Sequence, residues 1–149
     1  MGQQQLLLLV LSTVIVGLAT VAGIQAFSEN QAQASQDALV QRGTSIASDI
    51  QGLAGKPSQM GGIDLTDPPD DSDIVDRLGY EAKEDGNDPS GGNVVAAQGA
   101  GSGAGCTIEA GGSGSATITC ESSDAPQDAV ITVTPSDSDP ISTSFSSSP

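Results

Sequence analysis

The feature that most constrains this chain is an apolar segment near its start. From Leu6 to Ile24 the sequence LLLLVLSTVIVGLATVAGI contains no charged residue, and its Leu, Val and Ile side chains would lie all round a helix. Such a helix requires apolar surroundings on every side. At 1.5 Å per residue the segment spans about 28 Å, close to the thickness of a bilayer's hydrocarbon core. It is therefore long enough to enter a membrane.

Helical periodicity continues beyond the apolar segment. Apolar residues recur three, four and seven positions apart among polar ones as far as Leu53, which predicts an amphipathic continuation. The glycines of GLAGKP and then Pro57 provide stop signals. We therefore predict one helix from about Gly2 to Ala54, with an apolar assembly or membrane half (1–27) and an amphipathic half (28–54).

Three regions follow from these patterns. Residues 1–56 contain the helix. Residues 57–93 are rich in Asp, Pro and Gly, which predicts an acidic surface loop with one short helical turn around Ile74 to Leu78. Residues 94–149 predict a small β-rich head with short strands. The sequence thus predicts an α+β fold, one long N-terminal helix followed by a small antiparallel sheet.

Small residues recur four positions apart in the apolar half, as in Thr13 with Gly17 and Ala19 with Gly23. Such spacing lets helix backbones approach closely, although small residues are also common in apolar helices. Gly17, Gly23 and Gly43 are in addition candidate sites of bending or local unwinding, because glycine weakens a helix. The residues predicted to mediate helix–helix assembly are Gln3, Gln4, Gln5, Leu6, Leu9, Thr13, Val16, Gly17, Ala19, Thr20, Gly23 and Phe27.

Three glutamines stand directly before the apolar segment. Uncharged amides can hydrogen-bond one another or the first free N–H groups of a helix without burying a charge. Gln3 to Gln5 would then set the register between neighbouring subunits. Capping of the helix at a membrane surface explains them equally well.

The clearest β signal is CTIEAGGSGSATITC. If Gly111 to Ser115 form the turn, Ala110 faces Ala116, Ile108 faces Ile118 and Cys106 faces Cys120, all on one face. Opposed residues in a non-hydrogen-bonded antiparallel pair are close enough for a disulfide. We therefore predict a Cys106–Cys120 disulfide, against the alternative of two buried free thiols. The bond implies an exported protein.

Further strands are predicted in AVITVTP and ISTSF, with Val94 to Ala97 as a possible first strand. Ile141, Thr143 and Phe145 would share one face of the last strand. A sheet of three or four such strands has too small an apolar face to stand alone. The second half of the long helix is its natural cover.

Charge and missing residue types exclude some functions. With 4 basic and 19 acidic residues the net charge is -15, which repels nucleic acid phosphates. Such a surface is typical either of a protein hydrated at high salt or of an ordinary acidic region. The chain has no histidine, which excludes Ser-His-Asp and Cys-His catalysis, and we expect no enzymatic activity and no cofactor.

Two weaker possibilities concern modification and metal. The acidic stretches DLTDPPDDSD and EDGNDPSGG suggest calcium, but neither fits the EF-hand spacing, so solvated loops are favoured. The Ser- and Thr-rich tail could carry O-linked sugar.

Three interpretations explain where the apolar helix is buried. A cleaved signal peptide lacks its basic n-region here, so we expect the segment to be retained. A permanent single-span anchor explains the apolar segment but not the helical periodicity beyond it. A polymer with these helices as its core explains both.

A short polar start, an apolar helix, an amphipathic extension and a small β-rich head resemble a type IV pilin of the bacterial or archaeal superfamily. The opening GQQQLLLLVL is similar to that of predicted bacterial pilin-like subunits. The resemblance covers Met1 to Pro57 well and the head only in architecture. It departs at Gln5, which stands where many pilins carry a glutamate if Met1 is the mature start.

The resemblance implies the major subunit of an extracellular helical homopolymer. It also implies processing by a prepilin peptidase, transient insertion in the inner membrane, and extraction by the pilus assembly machinery. The alternatives are a single-span membrane-anchored surface protein, or a minor pseudopilin of a secretion system. A calcium-dependent adhesin is a third class.

Overall fold

The computed structural model describes residues 2–83 and 92–147. It has a long helix, a single 3-10 turn at Ser58–Met60, a short helix and five strands, an α+β arrangement as predicted. The elements are α1 (Gly2–Ala54), α2 (Asp71–Leu78), β1 (Val94–Ala96), β2 (Gly105–Ala110), β3 (Ala116–Glu121), β4 (Asp128–Val133) and β5 (Ile141–Ser146).

Helix α1 has the predicted bounds, and its helical hydrogen bonding is unbroken at Gly17, Gly23 and Gly43. The local unwinding considered at these glycines is therefore not observed. The chain divides into two compact units, Met1–Ala32 and Gln33–Pro149, which we call the helix unit and the sheet unit. The first half of α1 belongs to the helix unit and the second half to the sheet unit.

The sheet is an antiparallel meander in the order β1-β2-β3-β4-β5. It has five strands, whereas the sequence predicted three or four. The hairpin of β2 and β3 has the predicted register, with Ile108 opposite Ile118 and Cys106 opposite Cys120. Its turn occupies Gly111–Ser115, as expected, and places Gly112 and Gly114 at φ 62° and 82°. These left-handed conformations favour glycine, which explains the glycine-rich turn.

The disulfide between Cys106 and Cys120 is formed. The Gly111 N–H donates to the Ser115 carbonyl at 3.0 Å, and hydrogen-bonded pairs alternate along an antiparallel ladder. The two cysteines consequently form a non-hydrogen-bonded pair, as predicted, with their Cα atoms 4.0 Å apart. Both side chains are fully buried.

The core of the sheet unit lies between the sheet and the second half of α1. Alternate strand residues are buried, including Ile108, Ile118 and Ile131. The helix contributes buried residues at three- and four-residue spacings, which place them on one face: Leu39, Gly43, Ile46, Ala47 and Ile50. The amphipathic half of the helix is thus the cover that the sequence predicted for the sheet.

The segment between α1 and β1 contributes more to the core than a surface loop would. It includes α2, which contains the predicted helical turn and buries Ile74 and Val75. Ile63 and Leu65, which precede α2, are buried as well. The Asp71 carboxylate accepts a hydrogen bond from the Ala110 N–H at 2.9 Å, which links α2 to the end of β2. Most of EDGNDPSGG, the second stretch considered for calcium, lies outside the described residues.

Candidate assembly surface on helix α1

The candidate functional site is the surface of α1 within the helix unit. All twelve Leu, Val and Ile side chains between Leu6 and Ile24 are between 51% and 68% exposed, and Phe27 is 72% exposed. In the described part of the chain nothing covers them. A surface of this size and apolarity marks a site of association with protein or lipid.

All the residues predicted to mediate assembly lie on this exposed helix. Leu6, Leu9 and Val16 are each about two-thirds exposed. No acidic residue occurs in the first turn of α1, so Gln3 to Gln5 form an exposed and uncharged helix start. Contacts of these residues with other chains stay a prediction.

The hydroxyl groups inside the apolar segment are satisfied by their own helix. Ser12, Thr13 and Thr20 donate to the carbonyls three or four residues earlier, with donor–acceptor distances of 2.7 to 2.9 Å. A hydroxyl bonded in this way enters an apolar environment without the cost of an unpaired donor. The apolar segment is therefore compatible with burial on all sides, despite its three hydroxyl groups.

The glycines of α1 differ in their surroundings. A Cβ built on Gly43 would collide with Ile131 and lie 3.1 Å from the Cys120 sulfur, so this glycine allows α1 to approach the sheet. A Cβ on Gly17 or Gly23 would meet nothing within 4 Å. Packing within the chain thus explains Gly43, while Gly17 and Gly23 remain free to contact another helix.

Helix α1 is long and apolar enough to cross a membrane, with a mean hydropathy of 2.5 over its most apolar window and none of that window buried. A signal sequence or an assembly helix can have the same length and apolar composition as this segment.

Among residues 2–83 and 92–147, no group of three or more His, Cys, Asp or Glu side chains is arranged to hold a metal ion.

These features define an α+β protein with a long exposed apolar N-terminal helix and a disulfide-bonded antiparallel sheet, a set of elements consistent with those of pilins. Comparisons of the chain with protein-family models, curated proteins and solved structures found no match.

Proposed function

We propose that this chain is the major structural subunit of an extracellular, type IV pilus-like helical filament that polymerises through α1. The supporting observation is the exposure of twelve Leu, Val and Ile side chains, each by more than half, on a helix that continues into the sheet unit. At about 2 kcal/mol for each side chain, their burial would contribute at most roughly 24 kcal/mol per subunit before association costs. The filament then holds together without covalent links between subunits.

Two features of the sheet unit suit an outer surface. Its disulfide is typical of proteins outside the reducing cytosol. Beyond residue 50 the sequence has sixteen acidic residues and only three basic ones, Lys56, Arg77 and Lys83, so this part of the chain carries a large excess of negative charge. Such a surface remains hydrated, and at about 1 M salt its charge repulsion is screened within roughly 3 Å. We therefore propose a salt-adapted source.

The same helix suggests how the subunit is stored and assembled. Before assembly, α1 would be stored in the inner membrane, where its apolar segment matches the hydrocarbon thickness. A prepilin peptidase and the pilus assembly machinery would then process and extract the subunit, as the resemblance to pilins implies. The uncharged Gln3 to Gln5 would lie at the N-terminal boundary of the helical core.

A single-span surface protein, or a minor pseudopilin, is the alternative that the membrane-compatible length of the apolar segment favours. A permanent anchor requires only the first half of α1 to be apolar. It does not require Gly17 and Gly23 to be free of intramolecular contacts.

The test is electron microscopy of material sheared from cells that produce the protein, with mass spectrometry of the purified fibres. Because the chain has 4 Lys and Arg and 19 Asp and Glu residues, a protease specific for acidic residues gives better peptide coverage than trypsin. We expect thin helical fibres built of this chain. If the cells carry no such fibres and the protein is found only in detergent extracts, the filament proposal is wrong and the single-span anchor is favoured.

A further inference from the structure

The two edge strands of the sheet differ in whether their outer backbone groups are hydrogen-bonded. At the β1 edge, Ala82 forms a bridge with Val95, and the Lys83 N–H donates to the Val94 carbonyl at 2.7 Å. At the other edge, no strand from the described residues pairs with the outer side of β5. The sheet therefore has one covered edge and one open edge.

Strand β5 lacks the features that usually prevent edge-to-edge pairing. Its six residues, Ile141–Ser146, include no charged residue and no proline, and its register with β4 is continuous over the whole strand. Natural sheets protect open edges with charges, prolines or bulges. In a chain of net charge -15, this uncharged edge is a place where two copies can meet without opposing carboxylates.

The hydrogen-bond pattern shows which backbone groups face the open edge. The Thr134 N–H donates to the Pro140 carbonyl at 2.8 Å, so these residues form a hydrogen-bonded pair. Such pairs alternate in an antiparallel ladder. Ile141, Thr143 and Phe145 therefore direct their N–H and C=O groups away from β4 and towards the open edge.

The side chains of the same three residues lie on the core side of the sheet. They are opposite Val133, Ile131 and Ala129 of β4, which are all buried. Phe145 is nevertheless 52% exposed, and Thr143 is exposed as well. The open edge thus combines free backbone groups with an apolar side chain that the core does not cover.

We propose that β5 pairs antiparallel with β5 of a second copy of this chain, about a two-fold axis at Thr143. Thr143 is then opposite its own counterpart, and Ile141 of each copy is opposite Phe145 of the other. All three opposed pairs use the backbone groups that face the edge, and each pair exchanges two hydrogen bonds. Two five-stranded sheets become one of ten strands.

The covered β1 edge explains why the partner strand is a second β5. A head-to-tail arrangement would need a free β1, but residues 82 and 83 already occupy that edge. A two-fold contact uses the same surface on both partners, and β5 is self-complementary in this register. Asp139, the acidic residue closest to β5 along the chain, would be opposite Ser147 and not another acid. The contact involves only the sheet unit and is independent of assembly through α1.

Site-specific cross-linking of the full chain in detergent micelles tests the proposed register. Both native cysteines are in the disulfide, so Thr143→Cys introduces the only free thiol. Opposed Cα atoms in a hydrogen-bonded pair are about 5.5 Å apart, within reach of a disulfide. Ser146→Cys is the matched control, an exposed position on the same strand that would lie about 20 Å from its own counterpart.

Under a mild oxidant we expect at least a tenfold higher yield of linked dimer from Thr143→Cys than from Ser146→Cys. Equal yields from the two variants, or no dimer from Thr143→Cys with its thiol still titratable, would overturn the proposal. Identification of a sugar on Thr143 in native material would do the same, because it would block the edge.

A second pair of variants tests the contact without a cross-link. Thr143→Lys opposes two ammonium groups at the axis, whereas Ser142→Lys adds the same charge on the other face of the strand. By sedimentation equilibrium in density-matched detergent, we expect dimerisation to weaken at least tenfold for Thr143→Lys and less than threefold for Ser142→Lys. Equal effects of the two substitutions would contradict the proposed register.

Discussion

At the scale of single residues, Gly43 decides how α1 packs on the sheet. A side chain here would overlap Ile131 and press on the Cys120 sulfur, in a region where both partners are fully buried. Interiors packed at crystal-like density cannot absorb an additional methyl group without displacing their neighbours. Gly43 is therefore needed for contact, although glycine lowers the intrinsic stability of the helix.

We predict that Gly43→Ala destabilises the sheet unit by about 1 to 3 kcal/mol, because the new methyl group overpacks the core. Gly52→Ala is the matched control, since Gly52 is exposed on the same helix and a Cβ there meets nothing within 4 Å. It should leave stability unchanged or raise it by up to about 1 kcal/mol. Chemical denaturation of the full chain in detergent measures both, and equal effects would contradict the packing role of Gly43.

Tyr80 connects α1 to the segment that follows α2. Its hydroxyl donates to the Asp49 carboxylate, and the Arg42 guanidinium lies 4.8 Å from the centre of its ring. Burial raises the pKa of Tyr80 above its ordinary value, and the hydrogen bond and charge of Asp49 raise it further. Arg42 opposes this effect by stabilising the phenolate.

The pKa of Tyr80 can be read directly by ultraviolet absorbance, because the chain has one tyrosine and no tryptophan. We predict that Asp49→Asn lowers this pKa only in part, since burial is the larger cause. Asp37→Asn, at an exposed position on the same helix, is the control and should leave it unchanged.

The raised pKa also predicts how stability depends on pH. Because the folded-state pKa exceeds the unfolded value of about 10, the contribution of Tyr80 is complete below pH 10 and is lost as the pH rises through the folded-state pKa. Tyr80→Phe should remove this alkaline loss. A native chain that titrates at the ordinary tyrosine pKa would contradict the arrangement.

At the scale of elements, α1 is one helix with two different surroundings. Its second half buries one face against the sheet, while its first half exposes apolar side chains on all sides. The hydroxyl groups of the first half bond to their own backbone, so they provide no fixed polar contact to a partner. Close packing at small residues is then the main source of specificity along the apolar segment itself, beside the amides of Gln3 to Gln5 at its start.

We predict that Gly17→Leu abolishes filaments while the subunit still inserts in the membrane. The substitution raises hydropathy and meets nothing within the chain, but it prevents close approach of a neighbouring helix. Gly17→Ala, which keeps a small side chain, is the control and should retain filaments. Electron microscopy and membrane fractionation measure the two properties. Normal filaments from Gly17→Leu would exclude this face of α1 from the helical core.

At the scale of the whole molecule, charge is distributed unevenly between the units. In Met1–Ala32 the single charged side chain of the sequence is Glu29, whereas all four basic residues belong to Gln33–Pro149. Within the described residues, the side chains of Arg42, Arg77 and Lys83 contact other groups of the protein. Arg42 stacks on Tyr80, Arg77 donates to the Gly62 carbonyl at 2.9 Å, and Lys83 donates to the Gly103 carbonyl at 3.3 Å. The remaining surface charge is mostly negative.

We predict that the melting temperature of the full chain in detergent rises by about 5 °C between 0.1 M and 1 M sodium chloride, because salt screens repulsion among the acidic side chains. A variant with three exposed acids made neutral, Asp67→Asn, Glu109→Gln and Glu121→Gln, should show a smaller rise. Thermal unfolding followed by circular dichroism measures both. The same rise in the two proteins would point to a general salt effect and against charge screening.

Sequence alone predicted the bounds of α1, the register of the β2–β3 hairpin and the Cys106–Cys120 disulfide. These features depend on patterns that are local in the chain, such as apolar periodicity, stop signals and a glycine-rich turn. The assembly residues from Gln3 to Phe27 were also chosen from such patterns. Their contacts stay predictions because they would involve other copies of the chain.

Tertiary structure alone decided which loop residues enter the core, why Gly43 is a glycine, and which edge of the sheet is open. Ile63 and Leu65 lie in no periodic pattern, and they are buried because the chain returns to the end of the sheet. The β1 edge is covered because Ala82 pairs with Val95, whereas no strand of the described residues pairs with the outer side of β5. Such features arise from contacts between residues distant in sequence, whose register a local pattern does not encode.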